Sequence, residues 1–297
     1  MPVPKKQKPY PVKDTLYHGV CTEARAPLLY SLAQGNDTEM TVALVADPRR
    51  AQELAVELET YTALVKVKMP LQVLYFPEDP PPDIDAQRRS DRICDRLTVL
   101  SALLASPAGK RLLIATPEAL LGKSPDKVSF AQHRLTLRVG QSHSFSELID
   151  TFTNDLDYDS EALCEEPGQI ATRGGLIDLY PYDAHEPYRI DFFGDEIESI
   201  RRFDPTTQRT FNEVDEIQIA AAESADSIHS TEGALLAYLP ESTLQWTLDD
   251  PATLVREHPY RFENIRTIGS RLRSFHQALD HRKNIDSLTC ICELDAN

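Results

Sequence analysis

The alternation of apolar and polar residues along the first 120 positions predicts strands that alternate with helices. Residues 41–46 are a short apolar run typical of a buried strand. Asp47 and Pro48 then indicate a helix start, since an aspartate side chain caps free backbone N–H groups and proline fits the first helical position. The apolar residues that follow recur at helical spacing and predict the buried side of this helix: Ala51, Leu54, Ala55 and Leu58.

The same pattern is repeated further along this region. Strands are expected at residues 72–76 and 112–115, with the proline-rich loop 77–82 and a long helix between them. The helix carries apolar residues at helical spacing: Ile93, Leu97, Leu100 and Leu104. A threonine and a proline at 116–117 repeat the helix start seen before. Strands alternating with helices predict an α/β fold, with a parallel sheet that helices cover on both faces.

The pattern changes at residues 122–126, where we place a domain boundary. The next eighty residues read as strands with one helix between them. A strand is expected at residues 135–139, and Ser144 and Glu147 then form a capping box for the helix. This helix is expected to bury three apolar side chains: Leu148, Ile149 and Phe152.

The chain after residue 210 is expected to return to the first domain. It contains a predicted strand at residues 216–220, the apolar segment 235–239 and a predicted helix at 263–281. This interpretation divides the chain into a larger parallel-sheet domain and a smaller inserted α+β domain: residues 1–122 plus 211–297, and residues 123–210.

Residues 188–205 read as a β-hairpin. Its first strand is apolar and leads into Gly194 and Asp195, where glycine supplies the positive φ that a tight turn needs. Ile197 and Ile200 on the return strand are three positions apart, so strict alternation fails and the strand needs a bulge or burial on both faces. The segment 171–181 reads as a partner strand that ends at a proline.

The hairpin and its partner strand resemble the small domain shared by the UvrB excision-repair helicase and the N-terminal region of bacterial transcription-repair coupling factors. Five short motifs occur in that family's order: Arg-Gly at 173–174, Asp-Leu-Tyr-Pro at 178–181, Phe-Phe-Gly-Asp-Glu-Ile at 192–197, Arg-Phe-Asp at 202–204 and Gln-Arg-Thr at 208–210. The resemblance implies a degenerate helicase-like domain of the P-loop type, with an inserted domain that docks the UvrA damage sensor. It also implies the residues of the UvrA-binding patch: Arg173, Arg189, Asp191 and Phe192. Arginine suits such a patch, because its planar fork pairs with carboxylates and it is common at interface hot spots.

Two places depart from the family's pattern. Family members commonly carry an arginine just after the tyrosine that precedes this sheet, whereas Tyr158 is followed here by acidic and neutral residues at 159–161. UvrB also has an arginine where this chain has Ala171. With fewer cations, the patch is expected to bind UvrA more weakly, or to meet a partner surface that has changed in parallel.

The place for a nucleotide-binding loop in a helicase-like domain is the segment 17–27, after the first strand. UvrB-type motors carry there a glycine-rich loop followed by Lys and Thr or Ser, because phosphate approaches bare backbone and the lysine and hydroxyl hold phosphate and magnesium. Gly19 is present, but Glu23 adds a negative charge where triphosphate would lie. Arg25 replaces the lysine, and Ala26 has no hydroxyl. We therefore expect an inactive phosphate loop, no cofactor and no catalytic residue in this chain, as is usual in the coupling factor's N-terminal region.

Composition and charge narrow the function further. The net charge is -16, from 47 acidic and 31 basic residues, so the general field repels phosphate and any role on DNA is expected to be indirect. The one basic cluster, in residues 5–13, reads as a solvated tail. Five cysteines without a CxxC pair and two histidines five apart, at 276 and 281, argue against a disulfide framework and a metal site. No signal peptide or membrane span is evident, and a reducing bacterial cytoplasm is the expected location.

The preferred hypothesis is a non-catalytic interaction module that recruits UvrA in nucleotide excision repair. The resemblance implies that RNA polymerase and DNA are met only by other parts of a longer, ATP-driven translocase, so this chain would be a fragment of it or a stand-alone relative. Two alternatives remain open. One is a stand-alone regulator that competes for UvrA, and the other is a nucleotide-dependent enzyme with an altered phosphate loop.

Overall fold

The structure is a computed structural model. It describes residues 15–17, 19–35, 38–65, 71–107, 109–220, 233–240, 244–257 and 285–291. The chain forms two compact units: Met1–Glu78, Ser106–Leu120 and Leu239–Asn297 in the first, and Asp79–Ala105 and Leu121–Tyr238 in the second.

The first unit is built on a six-stranded sheet with the strand order β1-β16-β15-β2-β4-β3. The strands are β1 (Thr15–Tyr17), β2 (Met40–Val45), β3 (Leu71–Phe76), β4 (Lys110–Ala115), β15 (Leu244–Asp249) and β16 (Ile285–Ile291). Every neighbouring pair is parallel, which confirms the predicted parallel sheet. The helices of this unit are α1 (Thr22–Gly35), α2 (Pro48–Leu64), α4 (Pro117–Leu121) and α7 (Pro251–Glu257).

Local signals in the sequence explain the β2–α2 connection. Asp47 is the N-cap of α2, and its side chain accepts a hydrogen bond from the backbone N–H of Arg50 at 2.8 Å. The four residues expected on the inner side of α2 are all buried and pack with α1 and the sheet. Every residue of β2 is buried, so both of its faces are covered, as expected for a strand inside a parallel sheet.

The second unit contains a six-stranded sheet with the order β12-β11-β10-β9-β8-β7 and two small antiparallel pairs, β6 with β13 and β5 with β14. The large sheet is formed by β7 (Asp159–Ser160), β8 (Gln169–Arg173), β9 (Leu176–Leu179), β10 (Tyr188–Phe193), β11 (Glu196–Phe203) and β12 (Thr210–Val214). The small pairs use β5 (Lys123–Ser124), β6 (Arg134–Arg138), β13 (Glu216–Ala220) and β14 (Gly233–Ala234). The helices are α3 (Ala86–Leu104), α5 (Lys127–Gln132) and α6 (Phe145–Asp150), the last continuing as a π-helical turn, Thr151–Asp155.

The core of the second unit lies between one face of the large sheet and the segments around α6 and the β6–β13 pair. Ser144 caps α6 as expected, accepting from the N–H of Glu147. The bulge expected on the return strand of the hairpin is confirmed, since Asp191 pairs with Ser199 and Phe192 with Ile197, which leaves Glu198 as the extra residue.

Some elements differ from the sequence-based interpretation. Asp126 caps α5, a second helix where only one was expected between the strands. The second unit also takes in residues 79–105 and 211–238, because α3 and β13 make their contacts there, whereas the sequence-based division placed both segments in the larger domain. The segment 235–239 begins as a 3₁₀ turn.

Several predictions lie outside the described residues. They are the helix at 263–281 with its two histidines and the basic cluster of residues 5–13. Within the described part of the chain, no helix is long and apolar enough to cross a membrane.

Candidate protein-interaction face

The large sheet of the second unit is antiparallel except for the short edge strand β7, which pairs with β8 in parallel, and it has one apolar face and one charged face. Successive side chains of a strand point to opposite sides, so Ile190 lies in the core while its neighbours Arg189 and Asp191 lie on the other side. We call this second side the open face. It is defined by eight residues from five strands: Arg173, Asp178, Arg189, Asp191, Phe193, Ser199, Arg201 and Glu213.

Arg189 is held in the middle of the open face by a bidentate ion pair. Its Nε and Nη2 donate to the two carboxylate oxygens of Asp178 at 2.6 and 2.7 Å. The guanidinium also stacks over the ring of Phe203 at 4.8 Å, and Nη1 donates to the backbone carbonyl of Gln208. The Arg189 side chain is 18% exposed and that of Asp178 is 5% exposed. The arginine is therefore built into the sheet, with only its edge available to a partner.

Asp191 holds the neighbouring strand in a similar way. Its carboxylate accepts hydrogen bonds from Arg201 Nη2 and, at 2.8 Å, from Ser199 Oγ. Arg201 stands directly opposite Arg189 in the β10–β11 register and directly opposite Glu213 in the β11–β12 register. Acidic groups next to both arginines offset the repulsion expected of like charges on facing positions.

Two tight turns bring Arg173 and Phe193 to the same end of the open face, which we call the turn end. Gly174 follows Arg173 with φ 60°, and Gly194 follows Phe193 with φ 63°. The turns are adjacent, since the N–H of Phe192 donates to the carbonyl of Gly175. Phe193 is 80% exposed. Arg173 is also exposed and makes one hydrogen bond, to the carbonyl of Ala162 at 3.3 Å.

Phe192, named by the sequence as a patch residue, lies on the opposite side of the sheet from Arg173, Arg189 and Asp191. Its ring packs edge-on against Phe145 with a centroid distance of 5.3 Å, and it borders the core. The structure thus brings three of the four expected residues to one face and separates the fourth. Phe193, which sequence reasoning missed, takes the place beside them. The signal was available, because Phe193 is two positions after Asp191 and so must share its side.

At the other end of the open face, side chains pack over the sheet and cover it. A small apolar cluster of Cys164, Ala171 and Phe203 lies there with Tyr180. Burial raises the pKa of the Cys164 thiol to about 12. Ala171, the position at which UvrB has an arginine, is 2% exposed and belongs to this cluster. Because Ala171 is covered here, the part of the open face that stays exposed is the turn end.

The expected phosphate loop lies in the first unit, between β1 and α1. Gly19 has φ 70°, and Glu23 is in the first turn of α1. Hydrogen bonds from backbone N–H and from Cys21 lower the pKa of Glu23, so this position stays negative at neutral pH. Ala26 is buried in the core.

Arg25, at the position where the resemblance expects a motor lysine, binds a carboxylate of its own chain. Its Nη1 donates to Asp249 Oδ1 at 2.7 Å, and the side chains of the two residues are 5% and 2% exposed. Burial raises the pKa of Asp249, and the nearby guanidinium opposes that shift. Asp249 ends β15, and the carboxyl ends of parallel strands are where such sheets usually bind ligands. In the described ranges, no group of three or more His, Cys, Asp or Glu side chains could hold a metal ion.

Comparison with known proteins adds to this geometry. Residues 135–224 match the family model of the UvrB interaction domain. The transcription-repair-coupling factor of Staphylococcus aureus strain USA300 is 36% identical over 129 residues, which are 43% of this chain and 11% of that protein. The factor of the same name from Escherichia coli K12 is 37% identical over 124 residues, 41% of this chain and again 11% of the relative.

The chain thus matches only about a tenth of the length of these relatives, and the matching family model contains the whole of strands β7 to β13 with the open face. The resemblance noted in the sequence is confirmed. Residues 135–224 match the UvrB interaction domain, and a stretch of 124 to 129 residues of this chain is similar to the transcription-repair-coupling factors.

Proposed function

We propose that this chain is a non-catalytic interaction module that binds a UvrA-type protein in nucleotide excision repair, through the turn end of its open face. The observation that carries the proposal is Phe193, an aromatic ring 80% exposed at the same turn end as the exposed Arg173, within the UvrB interaction domain. A large exposed aromatic next to an arginine is the combination found at interface hot spots.

The remaining charged residues of the open face would orient the partner. Arg189 and Arg201 are each held by a carboxylate of this chain, so their geometry is set before a partner arrives and little side-chain entropy is lost on binding. Asp191 acts in this scheme as a positioning residue that fixes Arg201, and Arg173 offers its guanidinium to an acidic group of the partner.

Titration with purified UvrA tests this function. We expect the wild-type chain to bind, and Phe193→Ala and Arg173→Ala each to weaken binding about tenfold or more, which is about 1.4 kcal/mol. Val128→Ala is the matched control, because Val128 is 61% exposed in the same unit but lies on α5, away from the sheet. If the wild-type chain does not associate with UvrA at tens of micromolar, or if the control weakens binding as much, the assignment fails.

The non-catalytic part of the proposal rests on the phosphate-loop positions. The guanidinium of Arg25 is engaged with buried Asp249, Glu23 adds a negative charge, and Ala26 has no hydroxyl to offer a metal ion. The alternative, a nucleotide-dependent enzyme with an altered loop, predicts saturable binding of ATP. Calorimetric titration separates the two, and an ATP dissociation constant near micromolar would overturn the non-catalytic assignment.

In this scheme RNA polymerase and DNA are partners of other parts of a longer protein. The net charge of -16 supports an indirect role on DNA, because it disfavours contact with phosphate. We place the function in the cytoplasm of a bacterium, where UvrA acts.

A further inference from the structure

A groove of about 460 Å³ lies on the surface of the first unit, between α1 and α2, and uses no residue of the open face. Eight residues line it, three from α1 and five from α2: Glu23, Ala26, Pro27, Val56, Glu57, Thr60, Tyr61 and Leu64. Groove volumes of this size are common for sites that take a small ligand or a few anchoring side chains.

One wall of the groove is formed by side chains of α2 that do not belong to the core of the unit. Val56, Thr60 and Leu64 follow one another at intervals of four on α2 and so form a single row along the helix. Val56 is 57% exposed and Leu64 is 76% exposed. The core of the unit takes a different side of α2, the one that carries Leu54 and Leu58. The row runs from position 56 to position 64, which is eight residue steps, about 12 Å, or a little more than two helical turns.

The charge around the groove is mainly negative. The two charged residues in its lining are Glu23 and Glu57. After Arg50, α2 contains Glu53, Glu57 and Glu59 but no lysine or arginine. Arg50, in the first turn of the helix, donates to Glu57 at 2.8 Å and also lies near Glu23, so it offsets part of this negative charge. An occupant that brings positive charge next to an apolar face would therefore complement the groove.

We propose that this groove binds an amphipathic helix of a partner protein, with two or three apolar side chains on one face and lysine or arginine beside them. A helix laid along α2 would cover the exposed rim formed by Val56 and Leu64, which a small molecule sunk between the helices would leave in water. A second copy of this chain is a poorer occupant, because two molecules that each carry a charge of -16 repel one another.

The probes for this proposal are two synthetic 18-residue helical peptides with leucine at helical spacing, one flanked by lysines and the other by glutamates at the same positions. Each is labelled and titrated with the whole chain by fluorescence anisotropy. We expect the lysine peptide to bind with a dissociation constant below about 100 μM, the glutamate peptide to bind at least about tenfold more weakly, and added salt to weaken the lysine peptide.

Variants locate the binding. Leu64→Gln and Val56→Gln change exposed side chains and leave the core intact, so the fold is expected to persist while the lysine peptide loses about tenfold in affinity. Val128→Gln is the control, since it replaces an equally exposed apolar side chain of the other unit. The proposal is overturned if the lysine peptide does not bind, if the groove variants and the control behave alike, or if sedimentation shows a dimer that Leu64→Gln disrupts.

Discussion

The two sheets of this protein place their charged residues in opposite ways. In the parallel sheet of the first unit, Arg25 and Asp249 meet at the carboxyl end of β15 and are almost sealed from solvent. In the antiparallel sheet of the second unit, Arg189, Asp191 and Arg201 lie across an open face and keep part of their surface in water. In the first unit the two charges are paired with each other and buried, whereas in the second unit the paired charges remain partly accessible to a partner.

The difference follows from how each sheet is covered. A parallel strand such as β2 is buried on both faces. A charged side chain in such a sheet therefore needs an oppositely charged partner inside the protein. An antiparallel sheet can face water on one side, and its polar side then remains free to carry recognition residues. Removing one charge should therefore lower the stability of the first unit. In the second unit the loss of stability should become smaller toward the turn end, where removing a charge should lower only binding.

The largest effect is expected for Arg25→Ala. It leaves the carboxylate of Asp249, 2% exposed, without the guanidinium that compensates it, and breaking such a pair typically costs about 3–5 kcal/mol. Trp246, the single tryptophan, lies in β15 of the same sheet, so urea denaturation followed by its fluorescence reports on this unit.

A double variant shows how much of the destabilisation by Arg25→Ala comes from the uncompensated charge of Asp249 and how much from the lost side-chain volume. Replacing both partners, Arg25→Met with Asp249→Leu, should recover most of the lost stability, because neither residue then leaves a buried charge. A loss below about 1 kcal/mol for Arg25→Ala would mean that the pair is not as sealed as its exposure indicates.

A smaller loss is expected for Arg189→Ala in the second unit. The side chain of Asp178 is 5% exposed and would lose both hydrogen bonds of the bidentate pair, but Arg189 keeps 18% of its side chain in solvent, so we expect about 2–3 kcal/mol. The control is Arg202→Ala, whose pair with Glu186 is more exposed and should contribute less than about 1 kcal/mol. Denaturation followed by far-ultraviolet circular dichroism measures both, and equal losses would contradict the difference in burial.

Such a loss of stability affects how the proposed UvrA-binding site is tested. Arg189→Ala would lower binding of UvrA partly through damage to the sheet, whereas Arg173 and Phe193 can be truncated without leaving a buried charge. The sequence could name Arg189 as a patch residue, but its role depends on Asp178, and no local pattern shows that the two carboxylate oxygens meet one guanidinium.

What the sequence could predict was local. The cap at Asp47 with the apolar stripe of α2, the cap at Ser144 and the bulge opposite Asp191 all depend on neighbours within a few positions, and the structure has each of them. The six-residue helix α5 was missed, because it is too short to show a helical repeat of apolar residues. The capping residue Asp126 is its only signal in the sequence.

Contacts between distant segments could not be predicted. Arg25 and Asp249 are 224 positions apart, and only the fold brings them together. The sequence showed an arginine at position 25, where a motor would carry lysine, but it did not show that Asp249 pairs with this arginine. The groove between α1 and α2 was missed for a related reason, since an exposed apolar row on a helix that also has a buried stripe is recognisable only when the packing is known.

Adjacent phenylalanines sharpen the comparison within the second unit. Phe192→Ala removes a half-buried ring that packs on Phe145 and should cost about 2 kcal/mol of stability. Phe193→Ala removes a ring that is 80% exposed and should change stability by less than about 0.5 kcal/mol, while it carries the loss of UvrA binding. Thermal unfolding by circular dichroism gives the first quantity, and the titration with UvrA gives the second. If Phe193→Ala is the more destabilising of the two, the assignment of the faces is wrong.

The smallest effect is expected at the exposed pair of Arg138 and Glu216, which joins β6 to β13. The side-chain hydrogen bond from Arg138 lowers the pKa of Glu216 from its ordinary value of 4.5. A carboxyl whose pKa is lowered in the folded state stabilises that state at neutral pH, and this contribution disappears as the pH falls from 4.5 through the folded-state pKa. Arg138→Ala should therefore leave the unfolding midpoint at pH 7 and 150 mM salt unchanged within error, because exposed pairs are screened. In an NMR titration the same variant should raise the pKa of Glu216 toward its ordinary value. If the pKa of Glu216 has its ordinary value in both the wild type and the variant, the ion pair does not persist in solution. A clear drop in the unfolding midpoint of the variant at pH 7 would mean that this surface pair stabilises the fold as strongly as the buried pair of the first unit.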